Sequence, residues 1–90
     1  MIRDIALVMK EEIEVGQIDE IIRREKCPII ESYKMFDVYK GEQVKAGHKS
    51  VAYRITFRAP ERTLIEQEVA DVMKTLVEKL SNKLGAEIRL

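Results

Sequence analysis

The chain has 90 residues, 46% of them apolar and 36% charged, with sixteen basic and sixteen acidic side chains. That length suits one domain and that apolar share suits a small packed core, which excludes a disordered chain and a two-domain enzyme. Zero net charge excludes a whole-surface basic footprint for nucleic acid, and one cysteine, Cys27, excludes an internal disulfide and a thiolate-rich metal site. No apolar run approaches the ~20 residues of a membrane helix, and Met1-Ile2-Arg3-Asp4-Ile5 lacks the apolar stretch of a signal peptide. A reducing, cytoplasmic setting without a membrane partner is the expectation. Charge is balanced only on average. Residues 1–32 carry five basic against eight acidic side chains, residues 33–58 six against two, and residues 59–90 five against six. The basic excess therefore sits in the middle of the chain.

Arg3 to Lys10 reads as a strand, with Ile5, Leu7 and Met9 alternating with Asp4, Ala6 and Val8. Glu11 to Val15 is a polar connection. From Gly16 the spacing becomes helical: Ile18, Ile21 and Ile22 stand at i, i+3 and i+4, with acidic residues early and Arg23 and Arg24 late. Cys27-Pro28 stops this helix. Ile30 to Lys40 returns to strand chemistry, with Phe36 and Val38 read on one face and Met35, Asp37 and Tyr39 on the other. Gly41 to Gly47 is a polar loop. Lys49 to Arg58 alternates most clearly, with Val51, Tyr53, Ile55 and Phe57 against Ser50, Ala52, Arg54, Thr56 and Arg58. Pro60 ends it. Thr63 and Glu66 fit a capping box, although Ile65 is out of character there. Val69, Val72, Met73, Leu76, Val77, Leu80 and Leu84 mark a long amphipathic helix, and Gly85 suits its C-terminal cap. In the final stretch Ile88 and Leu90 share one face, Glu87 and Arg89 the other.

The order β-α-β-β-α-β predicts an α+β, ferredoxin-like fold: a four-stranded antiparallel sheet with two helices on one face. The second face is then bare or covered by a partner. It is predicted to display Ala6, Val8, Asp37, Tyr39, Ser50, Ala52, Arg54 and Arg89. One ring, one carboxylate, two guanidiniums and small residues make a flat platform suited to unstacked nucleobases. Lys40, Lys45, His48 and Lys49 beside it are candidates for phosphate contacts. Each residue also has a plainer reading. Tyr39 fits a half-buried strand-end tyrosine, Ser50 and Ala52 ordinary surface positions, and Asp37 a cross-strand ion pair. The lysine-rich loop fits a solvated turn. Met9, Met35 and Met73 read as core filler and Cys27 as a packing residue.

Catalytic signatures are absent from the chain. It has no GxxxxGK[ST], GxSxG, HExxH or CxxC, and its single histidine has no partner spaced for a metal. No catalytic or metal-binding residue is expected. The Lys10-Glu11-Glu12-Ile13-Glu14 turn is acidic where phosphate-handling enzymes of this fold need an arginine loop. Small-ligand regulatory or dimerisation domains of the same fold have no short signature and stay open as an alternative.

Three further stretches carry a resemblance: Phe36-Asp37-Val38-Tyr39-Lys40-Gly41, Gly47-His48-Lys49-Ser50-Val51-Ala52-Tyr53, and Arg62-Thr63-Leu64 with Glu68-Val69. With Arg3-Asp4-Ile5-Ala6-Leu7-Val8 they run in order over essentially the whole chain. They resemble the C-terminal anticodon-binding domain of the bacterial phenylalanyl-tRNA synthetase beta subunit. The resemblance implies a tRNA(Phe) anticodon-loop binder without chemistry or cofactor of its own. Other domains of the beta subunit and the alpha subunit would activate phenylalanine with ATP and magnesium. It further implies that Tyr39 stacks the first anticodon base, a guanine, and that Asp37 accepts from that guanine's edge. Ser50 would hydrogen-bond near the anticodon, Ala52 would leave room for the base, and Arg89 would lie alongside. Arg54 and Lys49 enter the candidate site from the strand pattern and the loop alone. Ile65 departs from the small polar residue relatives commonly carry there. The chain is expected to be a fragment of a longer beta subunit, ending at a natural C-terminus, rather than a free-standing homologue.

Overall fold

The computed structural model describes residues 1–41 and 44–89. The centre of the polar loop, Glu42 and Gln43, lies outside the described residues, as does the expectation for Leu90. The elements are β1 (Ile2–Lys10), α1 (Gly16–Arg24), β2 (Ile30–Tyr39), β3 (His48–Phe57), α2 (Glu66–Leu84) and β4 (Glu87–Arg89). The strands form one sheet in the order β2-β3-β1-β4, with every neighbouring pair antiparallel. This is the ferredoxin-like arrangement expected from the element order.

The helices pack on one face because the apolar alternation leaves them no other. Ile5, Leu7 and Met9 of β1 join Val51, Tyr53, Ile55 and Phe57 of β3 in a single buried cluster. Ile18, Ile21 and Ile22 of α1 and Val69, Met73, Leu76, Leu80 and Leu84 of α2 close over them. A fully buried side chain of this kind contributes ~1.5–3 kcal/mol by leaving water. Tyr53 is the polar member of the cluster. Its hydroxyl donates to Asp19 Oδ1 at 2.6 Å, so the central strand is tied to α1 by a charge-assisted hydrogen bond.

Three local readings are corrected. The first concerns β2. Tyr33 lies opposite Ile55 and Met35 opposite Tyr53, both on the helix side. Asp37 then lies opposite Ala52, so two residues of β2 advance while β3 advances one. The extra residue of this bulge is Phe36. The bulge reverses the alternation midway along the strand. Met35 therefore faces the helix side with Val38, and Phe36 joins Asp37 and Tyr39 on the other. Second, Met9 and Met73 are buried, but Met35 sits on the outermost strand and is 37% exposed. Third, α2 starts two residues later than Thr63 and Glu66 suggest. Its N-cap is Ile65, whose N–H donates to Glu68 Oε2 at 3.1 Å. Isoleucine has no side-chain acceptor, so only the reciprocal half of a capping box forms. Arg62 reinforces it by donating to Glu68 at 2.7 Å. The C-terminal cap is as expected: Gly85 adopts φ 63° and its N–H donates to the Ser81 carbonyl at 2.9 Å.

Burial, and next the Asp19 hydrogen bond, push the Tyr53 hydroxyl above the ordinary tyrosine range. An unfolded chain ionises its tyrosines near pH 10, so the native state loses this contribution as pH rises above about 10. Tyr53→Phe is expected to lower stability by about 1.5 kcal/mol at neutral pH in urea unfolding. It should also flatten the alkaline part of the stability profile relative to the parent.

Candidate functional site

Strand register builds the bare face row by row, because residues directly opposite in an antiparallel pair project to the same side. One row runs Tyr39, Ser50, Val8, Glu87 across β2, β3, β1 and β4. The next runs Asp37, Ala52, Ala6, Arg89. A third runs Lys34, Arg54, Asp4. Adjacent strands stand about 4.8 Å apart, so four abreast give a surface roughly 14 Å wide. Its centre is paved with Ala6, Ala52, Val8 and Ser50, none with a side chain tall enough to break the plane. At one end Ala6, Val8 and Ser50 floor a shallow pocket of about 240 Å³, walled by Tyr39, Val44, Lys45, Glu87 and Arg89.

Of the seven residues expected at the site, six share this face: Asp37, Tyr39, Ser50, Ala52, Arg54 and Arg89. The seventh does not. Lys49 lies opposite Met9, on the helix side, and is 8% exposed. It sits one residue from Ser50, and one residue is a change of face. The basic loop is likewise divided. Lys40 pairs with Glu11 at 2.9 Å, and His48 Nδ1 lies 3.0 Å from the Ala46 carbonyl. The hydrogen bond from Lys40, its charge and, in smaller part, the charge of Lys49 hold the Glu11 carboxyl below the usual carboxylate range. Lys45 alone of the four turns to the pocket.

The ring and the charges are held in different ways. Tyr39 is 45% exposed, and its hydroxyl end folds back over Gly41. A Cβ at Gly41 would stand 2.9 Å from the hydroxyl oxygen, so glycine permits this close approach. Arg54 donates from Nε to Asp4 Oδ1 at 2.9 Å and from its terminal nitrogen to Oδ2 at 3.1 Å. This fork holds the Asp4 carboxyl below the ordinary aspartate range and raises the guanidinium further. Asp37, Glu87, Arg89 and Lys45 form no ion pair among the described residues.

Lys34, Asp4, Glu87 and Phe36 also lie on this face, beyond the residues expected there. Glu87 shares its side of β4 with Arg89, and the alternation signalled this although only the arginine was carried to the site. Unbroken alternation puts Phe36 on the other side, and the bulge turns it to this one. The trace was present: Tyr33 and Met35 keep one phase of apolar residues and Val38 the opposite phase. Among the described residues no group of three or more His, Cys, Asp or Glu side chains is placed to hold a metal ion. Among the described residues no helix is long and apolar enough to cross a membrane.

Sheet order, helix placement and the furnished open face define a ferredoxin-like α+β module with one covered and one vacant side. Residues 1–89 match the family model of the ferredoxin-fold anticodon binding domain, and the chain belongs to that family. It is similar to the phenylalanine–tRNA ligase beta subunit of Clostridium tetani (strain Massachusetts / E88), at 49% identity over 87 residues and 97% of the chain. The corresponding subunits of Clostridium acetobutylicum and Geobacillus kaustophilus (strain HTA426) are 41% and 37% identical, over 97% and 99% of the chain. The chain spans 11% of the length of these curated relatives.

Gly41→Ala is expected to displace the Tyr39 ring while leaving stability within about 0.5 kcal/mol, since only the free end of one side chain must yield. Ring-proton chemical shifts and a urea midpoint measure the two effects.

Proposed function

We propose that this chain is the tRNA(Phe) anticodon-recognition module of a phenylalanine–tRNA ligase beta subunit and receives unstacked bases on its open sheet face. One observation carries the reading: two adjacent cross-strand rows bring Asp37, Tyr39, Ser50, Ala52 and Arg89 to one flat surface, where Tyr39, Ser50 and Arg89 also line a pocket. The first anticodon base, a guanine, stacks on Tyr39. Its N1–H and amino group are donors, which the Asp37 carboxylate accepts. Ser50 supplies a hydroxyl beside the base, Ala52 leaves the plane clear beneath it, and Arg89 and Lys45 offer cations to nearby phosphates.

The module does no chemistry of its own. ATP and magnesium belong to the rest of the synthetase, the remainder of the beta subunit with the alpha subunit, in the cytoplasm. The described residues suit this division, because the site holds a stacking ring and hydrogen-bonding groups rather than a nucleophile with its base. Zero formal charge and few free cations near the pocket imply few phosphate contacts. The isolated chain should therefore bind weakly, with a shallow dependence on salt, and contribute specificity to an affinity shared with distant domains.

Tyr39→Ala is expected to weaken binding of a stem-loop RNA bearing GAA by about tenfold, the scale of one base–aromatic stack, with the fold intact by circular dichroism. Equal binding by variant and parent would remove the stacking role. A chain that forms a stable dimer and ignores the RNA would instead indicate a dimerisation or small-ligand domain.

A further inference from the structure

The bulge places a second aromatic ring on the open face. Phe36 is 49% exposed, and the Arg54 guanidinium carbon lies 4.9 Å from its ring centroid. Asp4 orients Arg54 there through two parallel hydrogen bonds. Phe36, Arg54 and Asp4 thus form a strip across β2, β3 and β1, one row from the row of Asp37 and Ala52. A guanidinium locked in the plane of a carboxylate is a flat conjugated surface of roughly nucleobase size. Rings and guanidinium planes are the two surfaces on which proteins stack unpaired bases.

We infer that Phe36 and Arg54 form a second stacking site, which takes the base next to the one on Tyr39. This inference rests on the proposed anticodon-binding function and extends it from one base to two. Phe36 and Tyr39 stand three residues apart on one strand, about 10 Å along it, and their rings share a face. Between them lie Asp37 and the alanine floor, with no bulky side chain to interrupt a strand of RNA passing from one ring to the other. Asp4 has a defined part here. By neutralising Arg54 and fixing its plane it makes the guanidinium a stacking surface rather than a phosphate anchor. The second site should then discriminate little among bases, because stacking reads the π-face and not the edge.

The test is a set of thermodynamic cycles with the 90-residue chain, using NMR titrations of GAA stem-loops in which each anticodon base in turn is replaced by an abasic site. Phe36→Ala is expected to weaken binding of the intact loop by about tenfold. It should weaken by less than twofold the loop lacking one particular adenine, because that base and Phe36 are then coupled. Phe36→Leu, which keeps apolar bulk without the ring, should behave as Phe36→Ala does. Arg54→Lys, which keeps the charge opposite Asp4 without the plane, should also weaken binding and leave the salt slope unchanged. If Phe36→Ala costs the same on every loop, or nothing on any, while Tyr39→Ala still couples to the guanine, the second site is wrong and the first stands. If no GAA loop perturbs the parent chain at all, the anticodon reading fails and the second site with it.

Discussion

Everything at the candidate site depends on the period of two in a β-strand, enforced by a core that exists on one side only. Ile5, Leu7 and Met9 must meet α1 and α2, so Asp4, Ala6 and Val8 must face away. The same holds for Val51, Tyr53, Ile55 and Phe57 against Ser50, Ala52, Arg54 and Thr56. A slip of one residue between β1 and β3 would carry several large apolar side chains into water, at ~1.5–3 kcal/mol each. The core therefore fixes the register, and the register assembles the rows of the open face. The binding surface is positioned by residues that never touch a ligand.

β2 is where the two demands conflict. Its first half supplies Tyr33 and Met35 to the helix side, and its last residues supply Asp37 and Tyr39 to the other. Both cannot be met by unbroken alternation. The extra residue at Phe36 resolves the conflict on the outermost strand, where only one neighbour's ladder is disturbed. The same device turns Phe36 outward to Arg54.

This explains what was legible in the sequence. β1 and β3 are flanked on both sides in the sheet and carry the cleanest alternation, so their faces could be read residue by residue. The spacing of Ile18, Ile21 and Ile22, and of Val69 through Leu84, marks helices whose buried stripes the structure reproduces. Asp37 and Tyr39 were assigned to the bare side correctly because the local alternation after the bulge is regular. Met35 and Phe36 were misassigned because a bulge is decided by pairing with another strand, which local alternation does not report. Charge groups Lys49 with its loop, whereas strand geometry decides its side. The start of α2 was displaced because Thr63 is the better cap by chemistry, yet the chain caps on Ile65 and recruits Glu68 and Arg62 to compensate.

The central claim is that nucleobases lie directly on the alanine floor between β1 and β3. Intermolecular nuclear Overhauser effects between the methyl groups of Ala6 and Ala52 and the base protons of a bound GAA stem-loop address it most directly. Cross-peaks from both methyls to anticodon base protons are the expected result. Contacts confined to α2, or to the outer edge of β2, with silence from both alanines, would contradict it.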